Sequence, residues 1–496
     1  MPYHLVVLVH GIWGNSSHMS YLADQIQRYS SAANGEDKIV VYKTGSHSGY
    51  KTYDGIDVNG KRVADEIFAE ADRLNETGKV TKLSVIGYSL GGLMSRYALG
   101  ILYHHRYFDE VQPVHFVTFC TPHVGTNSVS SSLSSKIFNL VAPYVLVYTG
   151  QQMFLRDKTA TVGNDDRLPL LVWMADSKSP FYKALARFAH RSLYGNAIND
   201  KRTSWYTTFI SNVDPFNSMV NESRSAYNFQ YIKGYEPNVI DFSKSISFSK
   251  IVRQSKKHWF SPKRWVYKAF VWIKVLASLV VIMPVYSVYL LSNAIWQRVQ
   301  LNRRIRNFYK ESPNSLAVLY DLVQDNVDES DLEKGPKLTR KEFRDLEKPD
   351  SDHEETYLEA IEERMHDKAE VFVDSIFKAV DSASYYDYHY SVAKKKAPLS
   401  RPCSDDNYSS EEGKLLPKPS LVNLKGKEVK NDFKLNFNWK QEKIVEGLNT
   451  LQWNKYPVII RNTKATHAAV IHRHNDPNFA EGKVVVRHFI EQVFRV

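Results

Sequence analysis

The sequence predicts an α/β fold built on a mostly parallel sheet, and three observations carry that prediction. Short apolar runs rich in β-branched residues, His4–Val9, Lys38–Tyr42, Val80–Ile86 and Val114–Cys120, read as strands buried on both faces. Segments of helical spacing separate them: Ser16–Tyr29, and Asn59–Asn75 with Val63, Ile67 and Leu74 on one face. The third observation is Ile86-Gly-Tyr-Ser-Leu-Gly-Gly92, where a G-x-S-x-G pentapeptide joins a strand to the helical run Leu93–Leu102.

Strand, G-x-S-x-G and helix together describe the nucleophile elbow of an α/β-hydrolase, with Ser89 as the nucleophile. The turn is too sharp for side chains beside the serine, and Gly87 and Gly91 remove them. The helix that follows points its partly positive N-terminus at the reacting oxygen. A serine hydroxyl is a weak nucleophile at neutral pH, so it needs a base, and the base needs an orienting carboxylate. The order in this fold is Ser, then Asp or Glu, then His.

Asp200, just past the expected strand Ser192–Ile198, fits the acid; Asp214 in Asn212-Val-Asp-Pro and Asp176 are the alternatives. His467 in Thr466-His-Ala-Ala follows the expected strand Tyr456–Arg461 and fits the base, with small neighbours that leave room for substrate. His472, His474 and His488 are nearby candidates expected at the surface, whereas His123 precedes the acid. The first strand ends in His10-Gly-Ile-Trp-Gly-Asn15, an HG-type loop. Backbone N–H groups of Ile12 and Leu90 are expected to form the oxyanion hole, with His10 ordering the loop. Trp13 either lines an acyl pocket or simply packs.

Residues 127–189 form looser apolar pieces, such as Lys136–Val141 and Val145–Tyr148, where a cap or lid is commonly inserted; ordinary core helices are the other reading. Trp205–Ile210 reads as a further strand, Glu442–Leu451 as a helix and Lys483–Phe494 as a terminal helix. Asp321–Glu355 is dense in charge, Glu354–Val380 has amphipathic spacing, and Lys394–Asn431 has the Lys, Ser and Pro content of a disordered segment. Expected units are a hydrolase core over 1–250, an apolar anchoring hairpin over 256–306, a charged insert over 321–431, and a C-terminal part of the core over 433–496.

The chain has 496 residues and a net charge of +11, which favours an anionic partner. No nucleic-acid recognition motif is present, and no Cys/His cluster has metal spacing, so neither a metal nor a cofactor is expected. Two cysteines far apart, Cys120 and Cys403, argue for a reducing compartment. Met1–Leu5 runs straight into a strand without a basic n-region, so no signal peptide is expected.

Val275–Trp296 carries no charge and is long enough for a hydrocarbon core of ~30 Å. Lys256, Lys257, Lys263, Arg264 and Lys268 flank it upstream, and Arg298, Arg303, Arg304 and Arg306 downstream. Pro284 lies near its middle, and both flanks are basic. Ser89 and Asp200 precede it while His467 follows it. A hairpin dipping into one leaflet, before the last strand of the sheet, reconciles these facts.

Val7–Asn15, Tyr53–Ile56, Gly87–Leu93, Thr121–Gly125 and Asn199–Thr203 together resemble the fungal lipase-like serine esterases, in the branch that holds a lipid-droplet phospholipase. The resemblance covers Leu5 to about Asp214 and returns at Leu448–His467. It implies hydrolysis of glycerophospholipid acyl esters at the cytosolic face of lipid droplets, with the endoplasmic reticulum membrane as an alternative location. The implied partners are a phospholipid substrate and a membrane or droplet monolayer, with no obligate protein partner. Relatives also act on monoacylglycerol, so a mono- or diacylglycerol lipase is the alternative, and a droplet tether without turnover is a further one.

Overall fold

The computed structural model describes residues 1–32, 37–129, 133–158, 160–162, 166–198, 200, 202–214, 216, 225–244, 246–250, 299, 303, 421–423, 435–463 and 465–494. The apolar segment Val275–Trp296, the expected helix Glu354–Val380 and nearly all of the charged insert lie outside the described residues. Among the described residues no helix is long and apolar enough to cross a membrane.

Six strands form one sheet: β1 (Pro2–Val9), β2 (Lys38–Lys43), β3 (Lys79–Tyr88), β4 (Gln112–Phe119), β7 (His190–Asn196) and β11 (Asn454–Val458). Their order is β11-β7-β4-β3-β1-β2 and every neighbouring pair is parallel. Parallel pairing requires crossovers, and the helices supply them. On one face lie α2 (Ile56–Asn75) and α3 (Leu90–His104), packed on Leu5, Val7, Val85 and Phe116. On the other lies α1 (Ser20–Ala32), packed on Val6, Leu8 and Ile86. Alternate residues of β1 thus feed opposite cores, which is why its sequence is apolar from Leu5 to Val9. This is the α/β-hydrolase arrangement the sequence predicts. The order reverses between β1 and β3, and the crevice at their C-terminal ends is where ligands bind in open α/β sheets.

Between β4 and β7 the chain forms α4 (Leu133–Val145), α5 (Val147–Met153), the antiparallel pair β5 (Ala160–Val162) and β6 (Asp166–Leu168), α6 (Leu170–Trp173) and α7 (Pro180–Arg187). The core-helix reading holds for the later part of this stretch. Leu170, Leu171, Trp173 and Phe181 are buried in the core, whereas Leu140 and Tyr144 of α4 are each 60% exposed.

Three expectations are corrected. Trp205–Ile210 is not a strand: Trp205–Thr208 is a short helix, α8. Its aromatic and β-branched content mimics a strand, yet Trp205 and Phe209 stack at 4.2 Å, the i, i+4 contact of a helical turn. Within the segment expected to be disordered, Leu421–Asn423 forms β10. It pairs in parallel with β9 (Ile246–Lys250), which pairs antiparallel with β8 (Ser225–Asn228) in a second, three-stranded sheet. The chain closes with α9 (Trp439–Leu448), β11, α10 (Thr466–Ala469) and α11 (Ala480–His488), the last lengthened by a π-helical turn over Phe489–Val493. His472 and His488 are not surface residues. His472 Nδ1 lies 3.0 Å from the Phe479 carbonyl, and His488 Nδ1 lies 2.8 Å from the buried Tyr194 hydroxyl.

Candidate active site

Strand β3 is buried to its end and turns at Ser89, whose φ of +53° and ψ of −125° no regular element uses. The neighbours explain how that conformation is held. Ser89 donates its N–H to the Phe119 carbonyl (2.8 Å), and its own carbonyl accepts from Thr121 Oγ1 (2.8 Å) and Gly92 N (3.2 Å). A Cβ on Gly91 would stand 2.2 Å from the Val9 carbonyl oxygen, so α3 starts pressed against the end of β1. Leu90 is the first helical residue, where N–H groups have no intrahelical acceptor.

His467 arrives from α10, 378 residues further along the chain. Its Nε2 lies 3.0 Å from Ser89 Oγ and its Nδ1 2.9 Å from Asp200 Oδ2. An imidazole with its proton on Nδ1 donates to Asp200 and turns a lone pair on Nε2 toward the Ser89 hydroxyl. The Tyr88 hydroxyl donates to the His467 carbonyl (3.2 Å), tying α10 to the elbow. Both Ser89 (8% exposed) and His467 (6%) are nearly covered.

Asp200 follows β7. Its Oδ1 accepts from the backbone N–H of Arg202 (2.9 Å) and Thr203 (3.0 Å), and its Oδ2 from Thr203 Oγ1 (3.0 Å) and Asn196 Nδ2 (3.2 Å). Burial alone would push this carboxyl up. The charge and hydrogen bond of His467 and the two backbone donors outweigh burial and hold it well below the usual carboxylate range. Asp214 and Asp176 lie elsewhere and bind their own turns, through the N–H of Phe216 and Lys178 respectively. His123 is buried against Thr118 Oγ1 at 3.0 Å.

The HG loop lies against the nucleophile. A Cβ on Gly11 would stand 2.8 Å from Ser89 Cβ, which brings the backbone carrying Ile12 beside the reacting oxygen. The loop is fixed from below. His10 Nδ1 lies 3.0 Å from the Gly11 carbonyl, and its ring stacks on His47 at 3.9 Å. Burial pushes His10 down to about 3, so the ring stays neutral. Trp13, at φ +55°, donates its N–H to Thr52 Oγ1 (3.2 Å) and its indole N–H to the Tyr53 hydroxyl (2.5 Å).

Cys120 follows β4 at φ +50°, and ligand atoms of Cys120, Asp200 and His467 lie within 4.8 Å of one another. Burial, with the Asp200 carboxylate adding to it, pushes the thiol well above its ordinary value. A protonated sulfur is a poor nucleophile and a poor metal ligand. Sequence reasoning missed the supporting residues Tyr88, Thr121, Asn196 and Thr203. Only Thr203 carries a local signal: a hydroxyl three residues after an Asp is a turn pattern.

Residues 1–213 match the family model described as "Putative serine esterase (DUF676)". The chain is 31% identical over 214 residues to "Putative lipase YDL109C" and 32% identical over 214 residues to "Putative lipase ROG1", both of Saccharomyces cerevisiae. Each match covers 42% of this chain but only 31% and 29% of those relatives, so the matched stretch spans about a third of their length. Among solved structures, the chain is similar to an extracellular alpha/beta-hydrolase of a Paenibacillus species at 14% identity and a TM-score of 0.19, over 28% of this chain and 51% of that one.

Proposed function

From a serine-esterase match over residues 1–213, we propose that this protein is a serine acyl hydrolase that cleaves fatty acyl esters of glycerophospholipids at the surface of a lipid droplet. The observation that carries the reading is the continuous hydrogen-bonded path from Asp200 through His467 to Ser89. In this mechanism Ser89 Oγ attacks the ester carbonyl while His467 Nε2 takes its proton. The carbonyl oxygen becomes an oxyanion held by the N–H groups of Leu90 and Ile12, each worth about 3 kcal/mol. Asp200 stabilises the imidazolium, which then protonates the departing lysophospholipid alcohol. Water, deprotonated by His467, attacks the acyl-serine and releases the fatty acid. No cofactor or metal enters any step.

The lipid surface is supported by the charge of +11 and by the apolar segment with its basic flanks. Residues 192–196 of β7 pair with residues 454–458 of β11, so both belong to one folded body. A membrane-embedded segment between them returns to the side it left, as a hairpin in a monolayer does. The cytosolic face of a droplet offers such a monolayer, and the endoplasmic reticulum membrane is the second location.

The test compares the full chain and Ser89→Ala on phosphatidylcholine vesicles and on mono- and diacylglycerol emulsions. Fatty acid and lysophospholipid from vesicles, reduced by several orders of magnitude in Ser89→Ala, is the expected result. Release from the emulsion alone would make the protein a neutral-lipid lipase. Release from neither, by folded protein, would make it a tether.

A further inference from the structure

We infer that the outward face of α4 and α5, with the cleft beside it, is a docking surface for an anionic lipid surface. Helix α4 is amphipathic with its apolar side turned to solvent: Ile137, Leu140, Val141, Tyr144 and Val145 are 45–60% exposed, and Tyr148 of α5 continues the stripe at 47%. Such a face is costly in water and gains free energy at a lipid interface, where Tyr also sits well.

The surrounding charge selects the partner. From Val111 to Arg156 the sequence contains no Asp or Glu. Beside the stripe, a cavity of about 410 Å³ is lined by Asn127, Asn139, Arg156, Trp439 and Lys440, among others. Arg156 lies 5.9 Å over the Tyr144 ring and bonds the Asn139 carbonyl; Lys440 bonds the Leu155 carbonyl; Lys440 and Lys443 each lie 5.9 Å from the exposed Trp439 ring. Asp157, which follows Arg156 and accepts from the Leu170 N–H (2.7 Å), and Glu442 and Glu446 of α9, near Lys440 and Lys443 in sequence, are the acidic residues adjoining this rim. An apolar stripe bordered by cations and cation-backed aromatics matches a phospholipid surface with negative head groups.

The surface is also joined to the site. Thr149 Oγ1 of α5 donates to the Thr52 carbonyl (2.6 Å) and accepts from Gly55 N (3.1 Å), while Thr126 N donates to the Met153 carbonyl (2.9 Å). Thr52 holds Trp13 of the HG loop, and Thr126 lies five residues beyond Thr121, which holds Ser89. The docking face is thus tied by hydrogen bonds to the segment that holds the HG loop and to the one that follows the elbow.

The choice of partner rests on the lipid-ester reading, but the test does not use turnover. In the full chain with Cys403→Ser, an environment-sensitive fluorophore is attached through Leu140→Cys, or through Lys79→Cys at the other end of the sheet. The probes are vesicles of ether-linked, non-hydrolysable phosphatidylcholine, with or without ether-linked phosphatidylserine. Circular dichroism verifies that each variant is folded. A blue shift and quenching by nitroxide lipids at position 140 alone, enhanced by phosphatidylserine, is expected. Arg156→Gln and Lys440→Gln are each expected to weaken that response roughly fivefold. The inference is overturned if position 140 stays in water while the protein pellets with vesicles, or if the anionic lipid makes no difference. A shift that grows with protein concentration without lipid would assign the face to a second copy instead. Ester turnover lost with docking intact would remove the enzymatic reading and leave this one standing.

Discussion

Ser89 holds a backbone conformation that costs a non-glycine residue on the order of 1–3 kcal/mol, and it is held by hydrogen bonds to Phe119, Thr121 and Gly92 and by the close approach of Gly11. Asp200 plays the complementary part. Replacing it by Asn keeps the shape but offers Nδ1 of His467 a donor or a neutral acceptor, so kcat should fall on the order of 10⁴-fold with KM little changed. Steady-state kinetics on a soluble ester checks this. The same carboxyl has a stability signature. Its folded-state value is depressed, so its contribution is complete above the unfolded value near 4 and disappears as pH falls through the folded value. The difference in thermal midpoint between wild type and Asp200→Asn should be flat above about pH 5 and shrink below about pH 4. A difference that grew with acid would contradict the hydrogen-bonded, ionised Asp200. At this scale the elbow motif, chain order and strand context together put Ser89, Asp200 and His467 first among the candidates, and these three now lie within hydrogen-bond distance. Their supports were illegible, because Tyr88–His467 and Thr121–Ser89 are contacts set by sheet register and not by spacing in sequence.

The elbow is an element defined by contact with another element. Gly91→Ala would push a methyl into the carbonyl oxygens of Val9 and His10, at 2.2 and 2.5 Å, and backbone atoms in a buried strand do not yield. Denaturant unfolding should show a loss of about 1–3 kcal/mol, with a parallel drop in fluorophosphonate labelling. Unchanged stability would mean that α3 does not start against β1. Buried parallel strands were legible as elements because they are apolar on both faces, a pattern that helices of this length do not share. Trp205–Thr208 was not, because its aromatic residues are selected by tertiary packing on Phe216 and Phe242 and carry no period of their own. Strand β10 was hidden for a related reason: three residues in a Lys- and Pro-rich setting gain strand structure only by pairing with β9.

For the whole molecule, the decisive feature is the return of the chain to its own sheet. Strand β11 adds to β7 after an excursion of more than 200 residues, and α10 then carries His467 back over Ser89. Protease mapping on sealed vesicles should therefore find residues before Lys256 and after Arg306 on the same face. Opposite faces would be incompatible with the sheet. A chain ending at residue 432 lacks β11 and His467 and should show no labelling at Ser89.

The most direct test of the central claim is peptide mapping after reaction with a fluorophosphonate. One adduct per chain on Ser89, with its rate of formation collapsing in His467→Ala, is the predicted result. An adduct on another residue, or labelling of Ser89 in His467→Ala at the wild-type rate, would contradict it.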